Sequence, residues 1–351
     1  FQALYEDRFD DARHIIYAGA SILAEGLKQK IAGTDFNRNE LVPGVYAEYA
    51  YNPEITDVNK KFTERFGLVA AVRADFHNIY GTQIAPALTA KYNITPDMVL
   101  RANVGKGYRT PHFFTDNISS FVNGRPIQIT ENLDPEEALN YGLSYTLKSK
   151  IARRNFSINA DLYQTRFQNQ IIVDQETDLS AVRVSNLNGE SVTTSALLST
   201  SYEILNDFTA KIAYKWNDIR YDQAGQQVTK ILIPRHRALL ALHYTTPDKG
   251  WEFSNTTTWI GPQEYLERIQ VEGGVAQIRH EAKSFVTINA QITKKWNDFD
   301  LYFGGENLTN YTQKNPIQGG DAPQSDLFDV SQVYAPLAGI RGYVGIRWSI
   351  L

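Results

Sequence analysis

IRGYVGIRWSIL, residues 340–351, places Ile340, Val344, Ile346, Trp348 and Ile350 on one side with Gly342, and Arg341, Tyr343, Arg347 and Ser349 on the other. Successive side chains of an extended chain point to opposite faces, so this period of two marks a strand with one apolar face. The pattern recurs upstream. Phe208, Ala210, Ile212, Tyr214 and Trp216 oppose Thr209, Lys211, Lys215 and Asn217, and Val286, Ile288, Ala290 and Ile292 oppose Thr287, Asn289 and Gln291. Phe299, Leu301 and Phe303 oppose Asp300, Tyr302 and Glu306. Fourteen strands are expected in all, over 13–24, 42–52, 63–76, 83–93, 98–107, 139–149, 155–168, 190–203, 208–219, 234–245, 251–262, 283–295, 299–307 and 340–351.

Alternation alone does not distinguish a soluble sandwich, apolar inside, from a barrel in lipid, apolar outside. The connections do. The links 53–62, 94–97, 150–154, 204–207, 246–250 and 296–298 are short and turn-like, as in Thr95-Pro96-Asp97 and Asn297-Asp298. Those between them, 25–41, 108–138, 169–189, 220–233, 263–282 and 308–339, are long, with 77–82 the exception. Short turns at one end and long loops at the other are the habit of outer-membrane barrels. The fold class expected is therefore all-β, an antiparallel transmembrane β-barrel. Its polar faces carry Arg73, Asp75, Arg101, Asp161, Lys211, Lys215, Glu306 and Arg347, which are expected to line the lumen.

Composition agrees. The 351 residues carry 35 basic and 39 acidic side chains, a net charge of −4, which argues against a nucleic-acid partner. Apolar runs such as Phe66–Val72 fall far below the roughly 18 residues a spanning helix needs. A barrel escapes that requirement because only every second residue meets lipid. Trp251 and Trp259 share a face eight residues apart, about 20 Å along the membrane normal at a typical tilt, as two aromatic girdles would be. With no cysteine there is neither a disulfide nor a thiolate metal site. None of the six histidines has the spacing of a metal motif.

GKGYRTPHFF, 105–114, ends a strand and opens a long loop. Gly105 and Gly107 permit a bend, and Pro111 stops pairing. It is not a phosphate loop, which would need GxxxxGK followed by a helix. GENLTNY, 305–311, also ends a strand, with Glu306 inward and Asn307 opening the loop. On physical grounds alone, simple strand-exit chemistry is the favoured explanation of both motifs. The loop aromatics Tyr108, Phe113, Phe114, Phe121, Tyr265, Phe328 and Tyr334 form either a ligand vestibule or simple loop-on-loop packing.

GKGYRTPHFF resembles the Gly-x-Gly-aromatic-Arg-x-Pro motif of TonB-dependent outer-membrane receptors, and GENLTNY resembles their Glu-Asn-Leu motif. RADFHNIYGTQIAPAL, 73–88, and ENLDPEEALNYGLSY, 131–145, are similar to two further motifs, in family order, and the sequence is similar to receptors of Bacteroidota. The resemblance implies a location in the bacterial outer membrane and TonB-energised uptake of a ferric siderophore, haem, cobalamin, metal chelate or glycan. It also implies a barrel of about 22 strands around a plug, of which this chain would be the C-terminal portion. Implied partners are outer-membrane lipid, the plug and remaining strands on the same or a second polypeptide, TonB with its inner-membrane complex, and a small-molecule ligand. Tyr108, Arg109, His112, Phe113, Phe114, Tyr265 and Tyr334 are the expected ligand contacts, and the inward-facing charges above would meet the plug. No catalytic residue, metal or cofactor is implied. Two rivals are a passive fourteen-stranded channel, whose first and last strands would pair, and a barrel enzyme, which would need a Ser/His or Asp/His set at one rim.

Overall fold

The computed structural model describes residues 1–10, 13–31, 34–35, 37–51, 65–112, 118, 125–129, 132–223 and 225–348. The first strands in chain order are β1 (Gln2–Phe9), β2 (His14–Leu27), the short β3 (Lys30–Ile31) and β4 (Thr34–Asp35), β5 (Arg38–Tyr51), β6 (Phe66–His77), β7 (Gly81–Thr95) and β8 (Met98–Arg109). Next come β9 (Ile127–Ile129), β10 (Glu136–Ile151), β11 (Arg154–Gln168), β12 (Ile171–Asp174), β13 (Val182–Asn186), β14 (Ser191–Leu205) and β15 (Phe208–Gln223). The rest are β16 (Gln226–Thr229), β17 (His236–Thr245), β18 (Trp251–Ile260), β19 (Gln263–Val271), β20 (Gly274–Ala282), β21 (Phe285–Lys295), β22 (Phe299–Glu306) and β23 (Arg341–Trp348).

Fifteen of these make one antiparallel meander, β1-β2-β5-β6-β7-β8-β10-β11-β14-β15-β17-β18-β21-β22-β23, with β16 attached to β15. All fourteen expected strands are present, and β1 is an additional one. Its alternation is blurred, because Asp7 shares a face with Ala3, Tyr5 and Phe9. At one end the strands are joined by turns such as 96–97, 152–153, 206–207 and 296–298. At the other lie 169–190, 261–284 and 307–340, and the tight turn 78–80; the expected link 53–62 and most of 113–124 lie outside the described residues. Among the described residues β1 pairs only with β2 and β23 only with β22, so no register joins the first strand to the last.

The register separates two faces. Leu100, Tyr145, Ala160, Leu198, Tyr214, Ala238, Trp259 and Val286 form one continuous cross-strand row on the apolar face. Large side chains there are open: Val344 is 70% exposed, Ile346 67% and Phe303 65%. Apolar groups left open in such numbers across a sheet are positioned for hydrocarbon, not water. The opposite face carries a row running Lys91, Arg101, Ser144, Asp161, Leu197, Lys215 and Arg237.

Four glycines on that polar face lie directly across from tyrosines: Gly19 from Tyr46, Gly142 from Tyr163, Gly304 from Tyr343 and Gly345 from Tyr302. In each pair a Cβ on the glycine would overlap the tyrosine ring. The ring covers backbone that would otherwise lie bare.

At the loop end, β13 pairs with β12 and, in parallel, with β9. Val184, fully buried there, is packed by Ile127, Ile129, Leu133, Ile171 and Val173. This cluster is a small core independent of the wall.

Candidate functional site

β19 and β20 form a hairpin that rises from the wall and turns at Glu272-Gly273, where Gly273 has φ of +90°. The segment 307–340 lies against β19 with little secondary structure of its own, and glutamines make the join. Leu266 donates its N–H to Gln332 Oε1 (2.9 Å) and accepts from Gln318 Nε2 (2.6 Å), while the Arg268 N–H reaches Gln318 Oε1 (3.0 Å). Gln313 accepts from the Tyr334 N–H (2.8 Å) and donates to the Gln332 carbonyl (2.7 Å). Side-chain amides thus replace a neighbouring strand, satisfying backbone groups that would otherwise be orphaned. Beneath them Arg268 and Asp329 form a buried ion pair (3.3 Å; side chains 3% and 0% exposed). Arg268 Nη1 also donates to the carbonyls of Asp326 (2.9 Å) and Phe328 (3.1 Å), the additional bonding a buried charge requires.

The loops are tied to one another. Arg279 on β20 bridges Glu176 (2.9 Å), Glu264 (2.8 Å) and the Thr229 carbonyl (3.0 Å). Arg125 donates to the Gln175 carbonyl (3.0 Å), and burial together with nearby Arg268 pushes its guanidinium down to about 10. Asp134 and Asn186 exchange hydrogen bonds across two other loops.

Within this canopy Tyr265 lies 5.0 Å from Tyr334 and 5.7 Å from His280, ring centre to ring centre. His280 Nε2 is 3.1 Å from Glu267. Tyr265 and Tyr334 line a polar cavity of about 530 Å³ with Lys314, Gln318 and Asp321. Burial raises both phenols above the ordinary tyrosine range, and Glu267 adds to the effect. The site therefore presents un-ionised hydroxyls and aromatic surface, suited to stacking and hydrogen bonding.

The other expected ligand contacts are placed elsewhere. Tyr108 donates to Asp75 (2.9 Å), Arg109 pairs with Glu136 (2.5 Å), and His112 is half-buried at the start of its loop. Phe113 and Phe114 lie outside the described residues, as does Phe121. On the polar face Arg73 pairs with Asp75 (2.7 Å) and donates to Ser21 (2.8 Å), with its guanidinium 5.9 Å from the Tyr46 ring centre. Glu306 pairs with Arg341 (2.8 Å) and Arg347 stands 3.7 Å from Asp300. Arg101, Asp161, Lys211 and Lys215 share that face by register.

Sequence reading missed a buried cluster beside Asp75. Glu40 pairs with Arg38, and His77 Nε2 lies 3.5 Å from Glu40. His77 Nδ1 accepts the N–H groups of Ile79 (3.1 Å) and Tyr80 (3.4 Å), which assigns the ring proton to Nε2. The histidine inside RADFHNIYG therefore shapes the tight turn 78–80. Among the described residues no acidic or histidine cluster could hold a metal ion.

Residues 7–308 match the family model described as TonB dependent receptor-like, beta-barrel. The chain belongs to this family. Its members are proteins of the bacterial outer membrane, which accounts for an open apolar face and a meander with loops at one end. A 74-residue stretch is 36% identical to the vitamin B12 transporter BtuB of Photobacterium profundum, covering 21% of this chain and 11% of that one. The fold is similar to the siderophore receptor PirA of Acinetobacter baumannii, with TM-score 0.70, 15% identity, and coverage of 99% of this chain and 54% of that one. It is also similar to the copper transporter OprC, with TM-score 0.67, 13% identity, and coverage of 99% and 56%. The chain thus spans about half the length of the receptor-family structures it matches.

Proposed function

We propose that this receptor-family chain forms part of the wall and the loop vestibule of an outer-membrane transporter for a scarce ligand, energised through TonB. The loops capture the ligand, and the polar face of the wall surrounds a plug on which TonB pulls. One observation carries the reading: an interlocked canopy holds Tyr265, Tyr334 and His280 together over a cavity of about 530 Å³. Arg73, Asp75, Arg101, Asp161, Lys211, Lys215, Glu306 and Arg347 are assigned to the lumen and plug side. The cargoes of the similar proteins, a siderophore, copper and vitamin B12, support a chelate or cobalamin-like ligand over a glycan. The passive channel loses support because, among the described residues, no register joins the first strand to the last.

The test is uptake by the full-length receptor in a deletion strain supplied with radiolabelled ferric chelates, haem or cobalamin. Uptake of one ligand should cease when the proton gradient is dissipated and fall at least tenfold in the Tyr265→Ala, Tyr334→Ala double variant. Uptake indifferent to the gradient would reverse the reading.

A further inference from the structure

Near the turn end of the wall a lysine sits on the apolar, outward face. Val286 belongs to the apolar cross-strand row, so Ile288, Ala290, Ile292 and Lys294 share its face. The row through Lys294 runs Trp251, Lys294, Leu301 and Ile346, with Trp296 and Phe299 stacked beside it at the turn (4.7 Å). The Lys294 ammonium lies 4.9 Å from the Trp251 ring centre and 5.7 Å from that of Trp296. Indole faces attract a cation through their quadrupole, more strongly where water is sparse.

A lysine that only reaches for interfacial water needs no anion. The surroundings of Lys294 suggest more. The next residue, Lys295, faces the other way and pairs with Glu252 (2.5 Å). Asp248, in the adjoining turn, accepts from the Thr246 hydroxyl and the Gly250 N–H (3.1 Å). Asp248 and Lys294 flank Gly250, where a Cβ would come within 2.9 Å of both, so the absence of a side chain keeps that space open. Among the described residues no ion pair involves Lys294. Its two indoles carry no net charge, which leaves the ammonium free to take an anionic oxygen.

An open groove of about 330 Å³ begins one register step away. Phe208, Tyr244, Phe253 and Ile292 line it from one cross-strand row, and Leu242, Asn255 and Ala290 from the next row toward the loop end. That second row carries little bulk, since Ala290 pairs with Gly305 and Gly305 with Gly342. The Asn255 amide is engaged, accepting from Thr257 Oγ1 (3.1 Å) and donating to the Asn289 carbonyl (3.4 Å). Ser254 and Gln291 also border the groove, but the period of two sends their side chains to the opposite face. Ile292 and Lys294 are about 7 Å apart along the strand. A cation at one end of an apolar groove suits an amphiphile with an anionic head and a chain behind it.

We propose that Lys294 and this groove bind one anionic phospholipid of the phosphatidylglycerol type, its phosphate on the ammonium and one acyl chain along the groove toward the loop end. Charge selects the headgroup. Phosphatidylcholine would bring a second cation beside Lys294, whereas phosphatidylglycerol brings a net negative charge to match it. The site is on the outer surface of the wall and stands whether or not the loops capture a ligand.

The full-length receptor in detergent, titrated with palmitoyl-oleoyl phosphatidylglycerol or phosphatidylcholine and read by native mass spectrometry, provides the test. Phosphatidylglycerol should be held at least about fivefold more tightly than phosphatidylcholine, the margin of one charge-assisted hydrogen bond at a partly exposed site. Lys294→Gln should remove one tightly held phosphatidylglycerol from the count, and Lys294→Arg should retain it. Lys295→Gln, which deletes the same charge from the opposite face, should leave the count unchanged. Ala290→Trp fills the groove and should weaken both lipids; should it fail to fold, Ala290→Leu takes its place. Glycerophosphoglycerol, the headgroup without chains, should not displace the lipid at equal concentration. Equal affinity of the wild type for both lipids overturns the proposal. So does a count unchanged in Lys294→Gln or lowered equally in Lys295→Gln, unchanged binding in a folded Ala290 variant, or displacement by the bare headgroup.

Discussion

Asn307 stands where β22 leaves the wall, at φ of +49°. Its N–H donates to Asn289 Oδ1 (2.9 Å), its Nδ2 to the carbonyls of Tyr311 (2.8 Å) and Ala338 (2.9 Å), and its Oδ1 accepts from Thr309 Oγ1 (3.1 Å) and the Tyr311 N–H (3.2 Å). One side chain therefore joins both ends of the 307–340 loop. Asn307→Ala should cost about 2–4 kcal/mol, combining unpaired groups with a φ that alanine resists. Asn307→Gly should cost less, because only the bonds are lost. Thermal unfolding and limited proteolysis of the loop would check both, and equal costs would reject the backbone contribution. The sequence marked Asn307 as the start of the loop but not its reach to Ala338, since a pairing across 31 residues leaves no local pattern. Facing is tested in the same way. Ile212→Arg on the apolar face should cost about 2–4 kcal/mol, and Ala213→Arg on the polar face much less. Equal losses in denaturant titrations would contradict the assignment of faces.

At the scale of elements, the alternation of turns and loops predicts sidedness. In this cysteine-free chain, Asp97→Cys lies in a turn and Glu272→Cys at the tip of the β19–β20 hairpin. An impermeant maleimide applied to intact cells should label Glu272→Cys and not Asp97→Cys, and the reverse pattern would invert the orientation. Wall strands were legible because lipid on one side and polar surroundings on the other impose a strict period of two. The hairpin β19–β20 and the strands β9, β12 and β13 were not, because their faces pack against other loops. What holds β19 is Gln318 and Gln332, with Gln313 bracing Gln332, residue types that also occupy ordinary exposed positions. Loop order should depend on pH at Asp178, whose carboxyl is held below its usual range by the Ser180 hydroxyl and N–H and by Arg183. A carboxylate depressed on folding contributes above its unfolded value of about 3.9 and loses that contribution as pH falls through the lower folded value. Amide exchange at Ser180, followed as pH is lowered from 6, should show protection lost once the pH passes below the depressed folded value in wild type but no such step in Asp178→Asn.

For the whole molecule, the decisive feature is two wall strands with one neighbour each. Among the described residues β1 pairs only with β2 and β23 only with β22, and every unpaired backbone group in hydrocarbon costs several kcal/mol; on the proposed reading β1 and β23 each take a further strand in the membrane. The 351-residue chain reconstituted alone should give no discrete, stable conductance, and cysteines at Ala3 and Val344 should not cross-link. A steady unitary pore, or an efficient Ala3–Val344 disulfide, would favour the passive channel. The open edge of the wall could be anticipated from family motifs but not from the strands themselves, since each strand pattern is complete in its own right.

The four tyrosines laid over glycines also bear on how such a wall can change over generations. A methyl group at Gly304 collides with Tyr343 and one at Gly345 with Tyr302, although the partners are far apart in the chain. Neither member of a pair is free to drift alone. Among descendants of this sequence, glycine and tyrosine at these positions should be inherited, exchanged or lost together, so that each pair behaves as one heritable unit written in two places.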